Sequence, residues 1–412
     1  MENPKIRFKG FTKDWEQRKL GATNTFFTDG NYGEAYPKSS DMTDSGSGVP
    51  FLTGGNLKDG KLSLDGASYI TPEKHSKLTS GHLLEDDIVI AVRGSLGALG
   101  YVNTDNSGWN INSQLAILRT DKSELYGKFL IQYLLSWTGQ NELLKRQTGS
   151  ALKQLPIGAI KDVEVPITSI AEQEKIGEYF DSVDHLITLH QRKCEQTKKL
   201  KKYMLQKMFP QNGAKVPEIR FDGFTYDWEQ RKLGDVFEQT SNLVNPKEDE
   251  IELWSLTVED GLTKKSDRYN REFLVKKDDN FKEVRPGDIV YNPMNMTLGA
   301  VGYNGMAKSV AVSGYYTTMV AKENYDTYYI NTWLKSPQAI RLYRTYATGS
   351  LIEKQRVQFP TLSIIPVTFP KYEEQIKIGS YFHSIDNLIT LYQRKCDELK
   401  KMKKYMLQNM FI

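Results

Sequence analysis

The sequence has only two cysteines among its 412 residues, Cys194 and Cys396, and they occupy equivalent positions in two repeated segments. So few cysteines exclude a disulfide-rich secreted scaffold, and we expect both to be buried, unlinked helix residues in a reducing compartment. The five histidines are scattered, and no Cys/His cluster has the spacing of metal ligands. The sequence therefore predicts neither a metal site nor a disulfide.

The sequence also lacks the apolar segments that direct proteins to membranes. No apolar run approaches the roughly 20 residues that a membrane-spanning helix needs. The opening residues, MENPKIRFKG, contain no apolar core of the kind found in a signal peptide. We therefore expect a cytoplasmic protein, and a chain of this length is sufficient for about two to four domains.

Positive charge is concentrated in two short segments. Residues 192–209 carry a net charge of +6 and residues 394–404 carry +4, so the rest of the chain carries −6. The overall charge of +4 is consequently a poor guide to the partners of the protein. The lysines of these segments are typical of a solvated helix face, but contact with DNA phosphates or with a protein partner would use the same charges.

The most informative feature present is a repeat. Residues 4–21, PKIRFKGFTKDWEQRKLG, return as residues 217–234 with 15 of 18 positions identical. Residues 183–209 return as residues 385–411 with 19 of 27 positions identical. In the first pair of segments, the recurring phenylalanines and the tryptophan predict core anchors of a shared small unit. A duplicated frame of this kind predicts one scaffold that presents two different inserts.

The inserts, about residues 22–168 and 235–371, resemble each other only faintly. Each contains apolar runs bounded by glycine turns and also segments with helical periodicity. The strand patterns lie at 115–120 and 315–321, and the helix patterns lie at 128–137 and 328–343. Each insert is therefore predicted to be an α/β globule.

Each repeated C-terminal segment has the pattern of a long helix. Apolar residues recur at alternating intervals of four and three through 176–208 and through 378–410, which is the seam of a coiled coil. Ser169 and Glu172 have the spacing of a capping box at the start of the first helix. A rod of roughly 38 residues, about 57 Å long, needs a partner for its apolar stripe, and the second copy in the same chain can supply it.

We therefore predict an α/β (α+β) protein with two globular domains and two long helices that pair with each other as an intramolecular coiled coil. If the helices pair antiparallel and overlap fully, Cys194 lies near Leu388 and not near Cys396. The predicted limits are 1–168 for the first domain, with its repeat unit 4–21, 169–209 for the first helix, 210–216 for a linker, 217–371 for the second domain, with its repeat unit 217–234, and 372–412 for the second helix.

Motifs of enzymes are weak in this sequence. Residues 55–61 have the glycine and lysine spacing of a phosphate-binding loop, but Leu62 stands where a serine or threonine should hold magnesium, so a turn between strands is favoured. Asn292-Pro293-Met294 is close to the asparagine-proline motif of adenine methyltransferases, yet no glycine-rich AdoMet motif precedes it. No nucleophile–base pair and no catalytic carboxylate pair has convincing spacing, so we predict a protein without catalytic residues.

The remaining candidates are polar and aromatic residues on glycine-rich turns and in the loops that follow two TGS triplets. Asparagine and glutamine can pair with adenine and arginine with guanine, while other polar groups can hold phosphates. Ordinary loop polarity is an alternative explanation for any single one of these residues. The candidate DNA-binding residues are Arg93, Asn110, Asn112, Gln114, Ser150, Lys153, Gln154, Asn292, Asn295, Tyr315, Tyr316, Ser350, Lys354, Gln355 and Arg356.

Together these features resemble the specificity subunits of type I restriction-modification enzymes. The resemblance depends on the WEQRKLG openings, on EQEKIGEYF at 172–180 and EQIKIGSYF at 374–382, and on the QRKC and KKYMLQ segments, and it covers the whole chain. It implies that each insert is a target recognition domain for one half of a split DNA sequence. It also implies that the two helices form an antiparallel coiled coil, which has pseudo-two-fold symmetry, and that they set the distance between the half-sites. It further implies that two modification subunits, which methylate adenine, dock on the helices and that restriction subunits join them to cleave DNA.

The same resemblance implies no cofactor in this chain, with AdoMet in the modification subunit and ATP and magnesium in the restriction subunit. Antiparallel helices would present two readers in inverted orientation, as half-sites roughly 34–36 Å apart require. Two alternatives have distinct signatures. A self-sufficient DNA-modifying enzyme would be active as the purified chain, and a non-specific coiled-coil DNA-binding scaffold would bind specific and random DNA equally.

Overall fold

The computed structural model describes residues 4–150, 152–211, 213–259, 261–264, 280–349 and 355–411. The chain forms two compact units, one of Met1–Gln191 with Arg394–Ile412 and one of Arg192–Gln393, which we call unit 1 and unit 2. The boundary falls within both long helices, so each unit contains a part of each helix. The domain limits given above follow the sequence repeats and remain a prediction.

Unit 1 begins with strands and ends with the long helix that leads out of it. Its strands are β1 Glu16–Lys19, β2 Phe26–Asp29, β3 Val49–Leu52, β4 Leu57–Lys58, β5 Gly60–Leu62, β6 Ser68–Ile70, β7 Ile88–Ala91, β8 Leu99–Tyr101, β9 Asn110–Ile111, β10 Leu115–Arg119 and β11 Glu164–Ile167. Its helices are α1 Pro72–Lys77, α2 Gly127–Leu135, α3 Trp137–Leu144, α4 Ile157–Lys161, the first part of α5 Ile170–Lys207 and the end of α10 Tyr372–Met410.

The main sheet of unit 1 has six strands in the order β2-β10-β7-β8-β5-β4. Strand β7, IVIA, is buried along its whole length, as its uninterrupted apolar sequence requires of a central strand. Strand β10 pairs with it antiparallel, so that Leu115 lies opposite Ala91. Helices α2 and α3 join the core, and the Ser136 hydroxyl caps α3 by accepting from Gly139 N at 3.1 Å.

Unit 2 repeats this plan with different side chains. Its strands are β12 Glu229–Lys232, β13 Phe237–Thr240, β14 Leu243–Val244, β15 Trp254–Thr257, β16 Gly261–Lys264, β17 Phe281–Val284, β18 Ile289–Tyr291, β19 Val301–Tyr303, β20 Val310–Ser313, β21 Thr317–Ala321 and β22 Pro366–Phe369. Its helices are α6 Leu233–Val236, α7 Thr327–Leu334, α8 Pro337–Tyr346, α9 Phe359–Ser363, the end of α5 and most of α10 Tyr372–Met410.

The central sheet of unit 2 has the order β13-β21-β18-β19, which matches β2-β10-β7-β8 of unit 1. The predicted strands at 115–120 and 315–321 are therefore confirmed as neighbours of central strands. The single helix predicted at 328–343 is wrong, because the structure has two helices there. The Ser336 hydroxyl accepts from Ala339 N at 3.1 Å and Pro337 lacks an N–H group, so a new helix starts at this point.

The two long helices pair antiparallel within unit 1. Phe180 packs on Phe411 with ring centroids 6.2 Å apart, and Lys403 forms an ion pair with Asp184. Cys396 lies in a buried cluster with Val183 and Ile187 and forms no disulfide. Residues further along the first helix contact residues earlier in the second helix. This order confirms the predicted antiparallel pairing in this unit.

The same pairing recurs within unit 2 with the roles of the helices exchanged. Phe209 packs on Phe382 with centroids 6.0 Å apart, and Lys201 forms an ion pair with Asp386. Cys194 is buried and free, and its Sγ lies 3.9 Å from the Ile389 carbonyl oxygen. The register predicted Leu388 as the neighbour of Cys194, and the sulfur contacts the next residue along the helix.

The repeated opening segments fasten the helices to the cores. In unit 1, Trp15 is 2% exposed and its ring centroid lies 6.3 Å from that of Phe411. Glu172 accepts from Arg7 Nε at 2.6 Å and from Trp15 Nε1 at 3.2 Å. The capping box predicted for Glu172 is therefore replaced by an ion pair, because the nearby guanidinium is a stronger donor than a backbone N–H.

Unit 2 has the corresponding fastening. Arg220 donates from Nε and Nη2 to the two carboxylate oxygens of Glu374, each at 2.7 Å. Hydrogen bonding to Glu374 raises the pKa of Arg220, so the guanidinium stays charged. Trp228 is buried, which confirms both repeated tryptophans as core anchors.

Candidate nucleic-acid interface

In unit 1 the candidate residues gather at one end of the main sheet. Strand β7 ends where β10 begins, so Arg93 and Gln114 leave the sheet at the same end. The backbone N–H groups of Val92 and Arg93 both donate to the Gln114 carbonyl oxygen, at 2.9 and 3.3 Å. Backbone bonding beyond the last ladder pair thus holds these two exposed residues side by side.

A backbone bridge between Thr148 and Gln154 lies at this end of the sheet, and Gln154 also bridges to Arg93. Thr148 and Gln154 exchange backbone hydrogen bonds of 2.8 and 2.9 Å, and Leu155 N donates to the Val92 carbonyl oxygen at 2.9 Å. Gly149 has a φ of +90° and lies so close to the Leu152 carbonyl that a side chain would clash with it. This requirement explains the glycine of the TGS triplet in unit 1.

Unit 2 builds the same arrangement. Strand β18 ends at Tyr291, opposite Thr317 at the start of β21, so residues 292–295 and 315–316 share one end of the sheet. Thr348 and Arg356 exchange backbone hydrogen bonds of 2.9 Å, and Val357 N donates to the Pro293 carbonyl oxygen at 2.9 Å. In both units the threonine of the TGS triplet therefore forms a backbone bridge to a later residue, Thr148 to Gln154 in unit 1 and Thr348 to Arg356 in unit 2.

Most of the predicted residues are accessible at these sheet ends. Tyr315 is the extreme case, with 87% of its surface exposed at the turn between β20 and β21. Half-buried positions are Asn292, Tyr316 and Gln355, and exposed positions are Arg93, Gln114, Ser150, Lys153, Gln154, Asn295, Tyr315 and Arg356. Ser350 and Lys354 lie outside the described residues. Contact of these residues with DNA stays a prediction.

Asn110 and Asn112 are different, because both are buried. The Asn110 amide is used inside the unit, where its oxygen bonds to His75 Nδ1 and its nitrogen donates to the Gly81 carbonyl at 3.3 Å. The Asn112 side-chain oxygen accepts from Gln114 N at 3.0 Å. These bonds favour a structural role for both asparagines, with Asn112 shaping the turn that presents Gln114.

The structure adds residues that the sequence did not indicate. Tyr32 lies beneath the Arg93 guanidinium, with the guanidinium carbon 5.6 Å from the ring centroid. Leu152 is 81% exposed, beside Lys153. Met294 is half exposed at the equivalent sheet end of unit 2. A tyrosine 61 positions before its arginine gave no signal, because only the pairing of β2 and β7 with β10 brings the segments together.

The exposed groups of these surfaces are of the kinds that bind a ligand through charge, hydrogen bonds and apolar contact. Each combines positive charge, amide groups and an exposed apolar or aromatic side chain, which suits contacts to phosphates and base edges. Among the residues that the structure describes, no group of three or more His, Cys, Asp or Glu could hold a metal ion. Within the same part of the chain, no helix is both long enough and apolar enough to cross a bilayer.

Comparison with known proteins gives a consistent result. Residues 12–199 and 226–401 match the sequence family described as "Type I restriction modification DNA specificity domain". A putative type I restriction enzyme MjaX specificity subunit from Methanocaldococcus jannaschii is 22% identical over 425 residues, which is 95% of this chain and 91% of the relative. The type I restriction enzyme MjaVIII specificity subunit of the same organism is 23% identical over 86% of this chain and 83% of its own length.

A solved structure has a similar fold. The crystal structure of the type I restriction-modification system S subunit from M. genitalium superimposes with a TM-score of 0.68 at 14% sequence identity. The alignment covers 100% of this chain and 99% of that protein. At this identity the likeness concerns the fold alone.

Proposed function

The chain belongs to the family of type I restriction-modification DNA specificity proteins, and we propose that the sheet ends of units 1 and 2 each read one half of a split DNA sequence. Within such a system the chain is the non-catalytic subunit that supplies DNA specificity. Its partners are DNA and other subunits of the system.

One observation carries the proposal. In both units the residue that follows the bridge partner of the TGS threonine donates the same backbone hydrogen bond to the end of a central strand, Leu155 to Val92 in one and Val357 to Pro293 in the other. The side chains presented on this shared backbone differ, because Arg93 and Gln154 of unit 1 correspond to Met294 and Arg356 of unit 2. A constant backbone with variable exposed side chains is what two readers of different sequences require.

The long helices supply a second surface, on which we place the partner proteins. Each unit exposes large apolar side chains on both helices at positions that the repeat makes equivalent. These side chains are Leu186, Met402 and Tyr405 in unit 1 and Leu388, Leu200 and Tyr203 in unit 2. Because the same set occurs twice, we propose that two modification subunits dock on them, one for each set.

The remaining roles follow from this arrangement. The modification subunits hold AdoMet and methylate adenine, once on each strand, and restriction subunits with ATP and magnesium join to cleave DNA. The long helices, which both units share, fix the length of the unread spacer between the half-sites. This chain contributes recognition and docking, in keeping with its lack of convincing catalytic motifs.

Exchange of one insert tests the proposal. Residues 22–168 are replaced by the corresponding insert of another family member, and the DNA motif methylated with the modification subunit is determined. We expect a change in one half-site only, with the other half-site and the spacer retained. The reciprocal exchange of residues 235–371 is the matched control, and it should change the other half-site.

Two results would contradict the proposal. A change in both half-sites from either exchange would mean that the units do not read DNA independently. Methylation without any sequence preference, in an assembled complex, would make the chain a non-specific scaffold.

A further inference from the structure

Arg93 is an exposed side chain that its neighbours hold in place. Its Nε donates to Gln154 Oε1 at 3.3 Å, and its guanidinium carbon lies over the Tyr32 ring at 5.6 Å from the centroid. Among the described residues, none accepts a hydrogen bond from its two terminal nitrogens. The guanidinium is thus fixed on two sides while a pair of parallel donors stays available for a ligand.

The tyrosine beneath it is itself anchored. The Tyr32 hydroxyl lies 3.0 Å from Asp29 Oδ2 and 3.1 Å from the Ser113 carbonyl oxygen, so it donates into this pair of acceptors. Burial, together with Asp29, raises the pKa of the Tyr32 hydroxyl, which keeps it protonated. Gly30 approaches the Asn112 backbone so closely that a side chain would clash at 2.4 Å. Tyr32 is 44% exposed, so hydrogen bonds and the close approach of its neighbour Gly30, more than burial, hold the support of Arg93 in place.

The second unit shows which part of this arrangement is variable. The backbone positions of Arg93 and Gln154 are those of Met294 and Arg356, since each pair flanks an equivalent backbone hydrogen bond, Leu155 to Val92 in unit 1 and Val357 to Pro293 in unit 2. A residue that only contacted phosphate would be useful in both units, because the phosphate backbone is the same at every sequence. An arginine that is fixed in one unit and replaced by methionine in the other fits a residue that distinguishes bases.

The chemistry selects the base. Two parallel N–H donors match the O6 and N7 acceptors that guanine presents in the major groove, and this bidentate pairing is the commonest specific contact of arginine with DNA. The adjacent Lys153 is exposed and offers a point charge for a phosphate. We propose that Arg93, positioned by Tyr32 and Gln154, reads a guanine in the first half-site; this inference rests on the proposed function.

The test compares full-length variants in complex with the modification subunit. Arg93→Lys keeps the charge but loses the planar fork, and Arg93→Gln removes the charge. Lys58→Gln is the matched control for charge, because Lys58 is an exposed residue of unit 1 paired with Asp65. The methylated motif of each variant is mapped in cells, and duplexes that differ at single base pairs of the first half-site compete for the purified complex.

We expect the first half-site of the unaltered protein to contain a G·C pair whose preference falls about 5- to 150-fold in both Arg93 variants. The second half-site should be unchanged, and Lys58→Gln should leave both half-sites intact. For the positioning role, Tyr32→Ala should relax the same base pair, whereas Tyr32→Phe, which retains the ring, should keep most of the preference.

Three results would overturn the inference. The first is a first half-site without any G·C pair, and the second is an Arg93→Lys variant that retains the original motif. The third is an equal loss of affinity for all duplexes, which would make Arg93 a phosphate contact. Failure of the unaltered protein to direct any bipartite motif would instead refute the proposed function itself, so the two failures are distinguishable.

Discussion

Lys403 donates to both carboxylate oxygens of Asp184, at 2.7 and 2.8 Å, across 219 positions of sequence. The repeat places Lys201 and Asp386 at the equivalent positions, and they form the same ion pair in unit 2. Both lysines lie in the positively charged segments of the helices. Part of that charge therefore fixes the register of the helix pair within each unit, and the other lysines remain for solvent or for partners.

Reversal of the charges tests this role. Asp184→Lys alone should lower the melting temperature, because it places two positive charges in contact at a mostly buried position. Adding Lys403→Asp should restore stability, and a double-mutant cycle should give a coupling energy of about 0.5 to 3 kcal/mol. The exposed pair Lys58–Asp65 is the control and should give about 1 kcal/mol or less. Equal coupling in the two pairs would contradict a role in register.

Phe411 anchors the end of the second helix in the core of unit 1. Its ring centroid lies 5.5 Å from the ring centroid of Phe129 and 5.8 Å from that of Tyr133. We expect Phe411→Ala to reduce the free energy of unfolding by about 3 to 5 kcal/mol, because the cavity cannot close. Chemical denaturation measures this loss. The neighbouring surface variant Tyr405→Ala should change stability by only about 0.5 kcal/mol, and a similar loss in both variants would argue against the anchor.

The ion pair of Arg220 with Glu374 predicts an asymmetry between single and double variants. Glu374 is 1% exposed, so Arg220→Met leaves a buried carboxylate without its partner and should cost about 3 to 5 kcal/mol. Arg220→Met combined with Glu374→Met should be closer to the unaltered protein, because no charge is then buried. Denaturation at neutral pH compares the three proteins. A double variant as unstable as the single one would mean that the pair is needed for shape and not for charge balance.

The exposed apolar side chains of the helices predict an effect on assembly. Tyr203→Ala and Tyr405→Ala remove equivalent side chains in the two sets that we assign to docking. Each single variant should weaken binding of one modification subunit, and the double variant should weaken both, with the melting temperature nearly unchanged. The mass of the complex, measured at several concentrations of the modification subunit, would show how many copies of that subunit each variant binds. If the double variant binds two modification subunits as tightly as the unaltered chain does, the docking surface must lie elsewhere.

The repeats made much of the fold predictable. The period of apolar residues located α5 and α10, and the family resemblance predicted that these helices pair antiparallel, as they do within each unit. The register was predicted closely, since Cys194 contacts Ile389 and the expected neighbour was Leu388. These predictions succeeded because the apolar face of a helix is a local sequence pattern, and the repeat presents that pattern twice in this chain.

The interface was harder to predict from the sequence. Burial removed Asn110 from the accessible candidates, and the pairing of distant strands brought Tyr32 beneath Arg93. Glu172 had the spacing of a capping residue, yet Arg7, which comes from the opening segment, takes its carboxylate. In each case the deciding contact joins residues that are remote in sequence, and neither local propensity nor spacing reports such contacts.

The central claim is that this chain gives a modification system its DNA target. The most direct measurement is long-read mapping of N6-methyladenine in cells that carry a type I modification subunit, with and without the chain. The account predicts a new bipartite motif, methylated once on each strand and present only with the chain. The absence of any new motif, in cells where the complex is shown to form, would contradict it.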